Sequence, residues 1–86
     1  MSAPESDKIS EAFGVVLQRY RVDAGISQEE LADLANVDRT FVSRLERGLR
    51  QPTITTIISL AQALKVTATE LVREVEAALP RGGRGR

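Results

Sequence analysis

The first helical signal is a set of apolar residues that recur at steps of three and four residues near the start of the chain. The set consists of Ile9, Phe13, Val16, Leu17 and Tyr20. This spacing places the side chains on one face of an α-helix. Gly25 follows the last of them, and glycine is typical of the left-handed position that ends a helix. The pattern therefore predicts a first helix that ends near Gly25.

Two short helices are predicted next. Ser27 and Glu30 have the spacing of a capping box, in which each side chain accepts a hydrogen bond from the other residue's backbone N–H. Asn36, which tolerates the left-handed conformation, ends the second helix. Asp38 is a favourable N-cap for the third helix, which stops before Gly48. The apolar residues are Leu31, Leu34 and Ala35 in the second helix, and Phe41, Val42 and Leu45 in the third.

The remaining apolar residues predict a fourth and a fifth helix. Thr53 follows a proline and is a favourable N-cap, while Thr67 and Glu70 have the spacing of a second capping box. Pro80 ends the last helix. The apolar residues are Ile54, Ile57, Ile58, Ala61 and Leu64 in the fourth helix, and Leu71, Val72, Val75, Ala78 and Leu79 in the fifth. The fold class predicted is all-α, a compact five-helix domain without strands.

Composition narrows the chemistry that this domain can perform. The chain has 86 residues, of which 42% are hydrophobic and 28% are charged, as expected for one small globular domain. It has no Cys and no His, which removes thiolate catalysis, cysteine-bound zinc and the commonest general base. The acidic residues Asp23, Glu29, Glu30 and Asp33 are interpreted as the solvated start of a helix rather than a metal site. We therefore expect no enzyme activity, no metal and no cofactor.

The two ends of the chain differ from its centre. Residues 1–8 lack periodicity and are predicted to form a disordered leader, residues 9–79 form the domain, and residues 80–86 form a flexible Arg/Gly tail. The tail either attaches to a nucleic-acid backbone or is a disordered end that aids solubility. The start of the chain is polar and acidic, and no apolar run approaches the roughly 18 residues of a membrane span. We expect a cytoplasmic protein without membrane contact.

The segment from Gln28 to Leu45 predicts a helix-turn-helix unit, because two short helices meet across the turn at Asn36. Ala32 is small where the two helices would cross closely. The polar residues Arg39, Thr40, Ser43 and Arg44 lie on or near the outer face of the third helix. That is the face that a DNA major groove would meet.

The same residues resemble the Cro- and phage-repressor-like helix-turn-helix regulators, the XRE family, which implies a lambda-repressor-like fold. The resemblance covers roughly Phe13 to Val72. It rests on GISQEELA at 25–32, SRLERG at 43–48, Pro-Thr at 52–53 and LAQAL at 60–64. Within the family, VDRTFVS at 37–43 looks most like the controllers of restriction-modification systems.

The resemblance implies a role for several polar side chains. Gln28 would contact a phosphate and touch the first base. Arg39, Thr40 and Arg44 match base-reading positions, and Ser43 matches a weaker contact to the DNA backbone. The residues in the loop that grips the sugar-phosphate chain are Arg47 and Arg50. The residues of a buried ion pair that ties the first helix to the end of the third are Arg21 and Glu46.

The charges of the chain balance overall but not locally. Twelve basic and twelve acidic residues give a formal net charge of zero, so a general attraction to DNA is absent. From residue 36 to residue 52, however, four arginines face two acids, which leaves a local charge of +2. Local potential governs the encounter with DNA.

A domain of this size presents a short base-reading surface, so we expect a homodimer on a two-fold operator. The fifth helix has more apolar residues than one internal face needs. Val72, Val75 and Leu79 are the residues predicted at the dimer interface, and Val72 and Leu79 remain available if Leu71 and Val75 point inward. The function predicted is sequence-specific regulation of transcription on double-stranded DNA, with contact to RNA polymerase left open. The alternative is a protein-interaction module, an antitoxin or adaptor, in which DNA contact is secondary.

Overall fold

The computed structural model of the protein describes residues 6–80 and confirms the all-α prediction, because that range contains five helices and no strand. The helices are α1 (Ser6–Asp23), α2 (Gln28–Ala35), α3 (Arg39–Glu46), α4 (Ile54–Ala63) and α5 (Ala68–Ala78). The predictions for residues 1–5 and for the Arg/Gly segment 81–86 lie outside the described residues.

Both ends of α2 form as the sequence predicts, including the turn that leads to α3. The Ser27 hydroxyl accepts from the Glu30 backbone N–H at 3.0 Å, and the Glu30 carboxylate accepts from the Ser27 backbone N–H at 2.8 Å. Asn36 adopts a left-handed conformation with φ of 61°, and the Val37 N–H donates to the Ala32 carbonyl at 2.9 Å. Both ends of α2 are therefore fixed by residues within it or beside it, as the sequence predicts.

Three local predictions were wrong in part. Helix α1 begins at Ser6, so residues 6–8, assigned to the leader, belong to the helix; they are polar at an exposed first turn and show no apolar periodicity. Asp38 occupies the N-cap of α3, but its side chain makes no capping hydrogen bond. Thr67 caps α5, yet the Glu70 carboxylate accepts from the Tyr20 hydroxyl at 2.8 Å, so the second capping box is only half formed.

The helices close a ring around one core. Helix α1 packs against α3 and α5, α2 packs against α3 and α4, and α4 packs against α5. Seven side chains are almost fully buried, and they come from all five helices: Val16, Leu17, Leu31, Val42, Leu45, Leu60 and Leu71. The core therefore depends on aliphatic side chains, as the composition suggests.

Five residues that the periodicity assigned to apolar faces lie at the surface. Leu34, Ile54, Ile58 and Val72 are exposed, at 63%, 71%, 43% and 40% of their area, and Ala78 is exposed as well. None of them belongs to the buried core cluster. Ile54 and Ile58 both face the junction of α4 with α5.

Gly14 sets the distance between α1 and α3. A Cβ atom at this buried position would lie 2.5 Å from the Leu45 carbonyl oxygen and 2.6 Å from that of Glu46. The backbone of α1 thus passes directly against the C-terminal end of α3 and anchors that helix to the domain.

Candidate nucleic-acid interface

Helix α3 is amphipathic, with one face in the core and the other in solvent. Val42 and Leu45 are fully buried between α1 and α2. On the opposite face Arg39, Thr40 and Arg44 are exposed, and Ser43 is half-buried. The structure thus brings the three predicted base-reading residues, together with Ser43, to one face of a short, anchored helix.

The loop after α3 continues this surface. Arg47 and Arg50 are both exposed, and Gly48 adopts φ of 76° where a Cβ would lie 3.1 Å from the Glu11 Cα. The Leu49 N–H donates to the Arg44 carbonyl at 2.9 Å, which folds the loop back on the end of the helix. The loop is therefore held against α1, and its arginines stay beside the exposed face of α3.

The arginines of this surface have no carboxylate partner in the described part of the chain. The salt bridges found among residues 6–80 join Arg19 to Glu74 and Arg21 to Glu46, and neither includes a side chain of α3's outer face or of the loop. The guanidinium of Arg50 lies 5.9 Å from the centre of the Phe41 ring, a cation–π distance. We define Arg39, Thr40, Ser43, Arg44, Arg47 and Arg50 as the basic face.

Behind the basic face lies a buried ion pair between Arg21 and Glu46. Arg21 Nε donates to Glu46 Oε2 at 2.6 Å, and Arg21 Nη2 donates to Glu46 Oε1 at 3.1 Å. Arg21 Nη1 donates to the Ile26 carbonyl at 2.9 Å. The Glu46 side chain is only 2% exposed, so its charge is stabilised by the ion pair with Arg21 rather than by solvation in water. The hydrogen bond to Glu46 raises the pKa of Arg21 above its usual value.

Gln28 is attached to the same carboxylate. It is the first residue of α2, and its Nε2 donates to Glu46 Oε1 at 2.9 Å. The sequence prediction gave Gln28 a contact to DNA and did not anticipate this intramolecular bond. Since Glu46 immediately precedes Arg47, the start of α2 lies beside the loop of the basic face.

A second surface lies between α4 and α5. It is an apolar groove of about 550 Å³. Its lining consists of Ile54, Ile57, Ile58, Ala68, Thr69, Val72, Arg73 and Glu76. We call it the α4–α5 groove, and none of its lining residues belongs to the basic face.

The groove revises the prediction of the dimer interface. Val72 is 40% exposed and lines the groove. Val75 was wrongly included, because it is 7% exposed and packs in the core of the chain. Leu79 is half-buried against that core. Ile54 and Ile58 also expose apolar area in this groove, and the sequence prediction of the interface did not include them, although the high apolar content of α4 was a signal.

No other chemistry is indicated within the described residues. None of the helices in the range 6–80 is both long and apolar enough to cross a membrane. The same range contains no group of three or more acidic side chains arranged to hold a metal ion.

Known proteins with similar sequences are transcription regulators. A family model described as helix-turn-helix matches residues 17–71. The HTH-type transcriptional regulator y4dJ of Sinorhizobium fredii, itself uncharacterized, is 44% identical over 54 residues, which span 63% of this chain and 70% of the relative.

Solved structures give the same result. The restriction-modification controller protein C.AhdI from Aeromonas hydrophila has a TM-score of 0.71 and 40% identity, over 72% of this chain and 94% of that chain. The controller protein C.Esp1396I, solved as a tetramer in complex with its natural 35-base-pair operator, has a TM-score of 0.74 and 27% identity, over 81% and 92% of the two chains. The resemblance is confirmed, and this chain belongs to the XRE-type helix-turn-helix family of transcriptional regulators.

Proposed function

We propose that the chain is a homodimer that binds a two-fold operator in double-stranded DNA and regulates transcription by occupying it. The observation that carries this proposal is the basic face. Its four arginines are exposed and have no carboxylate partner within residues 6–80, on a helix whose other side is fully buried. Binding then requires neither a catalytic step nor a cofactor.

Base readout is assigned to the exposed side of α3. Arg39 and Arg44 can each hold O6 and N7 of a guanine, a contact that contributes about 1–3 kcal/mol of discrimination. Thr40 can contact a thymine methyl group or a phosphate. Ser43 is half-buried and is assigned a contact to the DNA backbone.

Backbone contacts are assigned to the loop and to the start of α2. Arg47 and Arg50 lie beyond the end of α3, where their charges can neutralise phosphates on either side of the groove. Gln28 lies at the N-terminus of α2, where the helix dipole favours an anion. These contacts position the protein on any duplex, whereas Arg39 and Arg44 select the sequence.

The α4–α5 groove is the proposed dimer interface, and a second copy of this chain is its occupant. Ile54, Ile58 and Val72 expose apolar area there, and burial against the same surface of a partner would remove it from water. Arg73 and Glu76 lie in the same groove, so a two-fold axis can bring Arg73 of one copy opposite Glu76 of the other, and the reverse. This arrangement leaves α3 of both copies free for DNA.

The similar proteins support the proposal. C.Esp1396I has been solved as a tetramer on its operator, and C.AhdI is a controller of a restriction-modification system. A regulator that occupies an operator works where the DNA is, so we place the protein in the cytoplasm. Whether it represses or activates, and whether it contacts RNA polymerase, follows from where the operator lies relative to a promoter.

The test is selection from a pool of randomised duplexes with the purified protein. The proposal predicts enrichment of an inverted repeat whose half-sites are about one helical turn apart, or a multiple of it. Ile58→Glu should be a monomer in sedimentation analysis and should no longer enrich the inverted repeat. Val15→Glu, at an exposed site on α1, should remain a dimer and enrich the same repeat as the wild type. Absence of any enriched sequence would overturn the proposal and favour the protein-interaction module.

A further inference from the structure

The side chain of Gln28 joins the proposed DNA surface to the buried ion pair. Its Nε2 lies 2.9 Å from Oε1 of Glu46, a carboxylate with only 2% of its side chain exposed. The same oxygen accepts from Arg21 Nη2 at 3.1 Å, and the other oxygen accepts from Arg21 Nε at 2.6 Å. Gln28 is thus the third donor to a carboxylate that water hardly reaches.

This arrangement fixes the orientation of the Gln28 amide. An ionised carboxylate is an acceptor only, so the Gln28 atom that faces it must be the nitrogen and not the oxygen. A flip of the amide would place two acceptors against each other at a buried site and would leave a Glu46 lone pair unsatisfied. One amide hydrogen is committed to Glu46. The second hydrogen has no acceptor among residues 6–80.

We propose that Glu46 is a positioning residue for DNA binding, because it holds the Gln28 amide so that its second N–H is presented to a phosphate. The inference rests on the proposed function and deepens it. Glu46 itself touches no DNA, since its side chain is buried. It acts through Gln28. Because Arg47 directly follows Glu46 in the sequence, this contact lies beside the arginines of the loop.

Arg21 makes the arrangement compatible with a nearby phosphate. Three of its five N–H groups donate inside the protein, one each on Nε, Nη1 and Nη2, and its side chain is only 13% exposed, so the guanidinium is engaged mainly by the protein itself. Its charge neutralises Glu46, which would otherwise repel the phosphate that Gln28 binds. The buried pair therefore both joins α1 to α3 and orients a neutral donor toward the DNA.

The experiment is a double-mutant cycle on affinity for a duplex selected by the wild-type protein. Gln28→Ala should lower affinity about tenfold, the value of one hydrogen bond to a charged group. Its salt dependence should be unchanged, because a neutral amide releases no counterion. Glu46→Gln should cause a similar loss, and Gln28→Ala in that background should add less than about twofold. Arg21→Lys is the matched control, since it perturbs the same junction but leaves the carboxylate that holds Gln28.

Each outcome has a distinct meaning. If the losses from Gln28→Ala and Glu46→Gln multiply, Glu46 does not act through Gln28 and the inference is overturned, while the proposed function stands. If Arg44→Ala leaves binding to the selected duplex intact, or if the wild type selects no duplex, the proposed function fails. The inference then fails with it.

A measurement on the wild-type protein covers the case in which Glu46→Gln does not fold. In NMR spectra the two side-chain amide protons of Gln28 should differ. One should be protected from exchange in free protein, and the other should shift when the selected duplex is added. Two amide protons that both exchange as freely as those of the exposed Gln18 would overturn the inference.

Discussion

Arg21 and Arg44 carry the same guanidinium group in two different settings. Arg21 has 13% of its side chain exposed and donates to a carboxylate and to a carbonyl oxygen. Arg44 is exposed and has no carboxylate partner among residues 6–80. Arg44 belongs to α3 and lies on its exposed face, whereas Arg21 belongs to α1 and pairs with Glu46 at the end of α3. The difference shows that burial and internal hydrogen-bond partners, rather than residue type, separate a structural arginine from one available to a ligand.

The two settings also differ in what a substitution removes. Loss of a buried, paired charge leaves its partner uncompensated inside the protein. Loss of an exposed charge leaves the fold nearly unchanged, because water already solvates the side chain. Substitution of Arg21 should therefore act mainly on stability, and substitution of Arg44 mainly on DNA affinity.

Arg21→Ala should cause the largest change in stability. It leaves the Glu46 carboxylate buried without its cation, so we expect the free energy of unfolding to fall by about 3–5 kcal/mol. Urea denaturation followed by circular dichroism measures the loss. Arg39→Ala is the matched control on the exposed side and should change stability by less than about 0.5 kcal/mol. Equal effects of the two substitutions would show that burial of the pair contributes little.

Gly14→Ala tests the junction from the side of packing rather than charge. In an exposed helix interior this substitution normally stabilises by about 1 kcal/mol. Here the new Cβ would lie 2.5 Å from the Leu45 carbonyl oxygen, so α1 and α3 must separate. We expect destabilisation of about 1–3 kcal/mol. Gln18→Ala, at an exposed position on the same helix, is the control, and a Gly14→Ala protein more stable than the wild type would refute the close approach.

Features fixed by neighbouring residues were predictable from the sequence. The Ser27 and Glu30 capping box, the left-handed Asn36 and the outward direction of Arg39 and Arg44 all depend on chemistry within a few residues. The helix-turn-helix unit follows from those local choices. For that reason the amino-acid order was enough to outline the five helices and the exposed side of α3, whereas Arg47 and Arg50 were placed by the resemblance to the family.

Features fixed by distant residues were not predictable in the same way. Glu70 was expected to bond to Thr67, but Tyr20, fifty positions away, competes for its carboxylate. Val75 and Val72 look alike in a periodic pattern, and only the position of α1 and α4 decides which one is buried. Gly14 was overlooked, although a glycine inside a helix generally has a packing reason.

Arg44→Ala tests the arginine on the exposed side of α3. We expect a loss of about 1–3 kcal/mol in affinity for the selected duplex, or about 5- to 150-fold, with little change for a random duplex. Arg47→Ala is the matched control: it should weaken both duplexes and reduce the salt slope by about 1. Fluorescence anisotropy over a range of salt concentrations distinguishes the two. If Arg44→Ala weakened both duplexes alike, it would belong with the backbone contacts.

Tyr20→Phe should have the smallest effect, and one visible only at high pH. Tyr20 links α1 to α5 by its hydrogen bond to Glu70, and that bond raises the pKa of the Tyr20 phenol above its usual value near 10. A group whose pKa is raised by folding stabilises the protein below its unfolded pKa and loses that contribution as the pH rises through its folded pKa. The wild type should therefore lose more stability than Tyr20→Phe as the pH rises above about 10. Tyr20 is the single tyrosine and the chain has no tryptophan, so ultraviolet absorbance reports its ionisation directly. Lys8 and Lys65 are present in both proteins, so their titration contributes equally to the two pH profiles. Identical profiles of stability against pH would show that the Tyr20 bond to Glu70 does not form in solution.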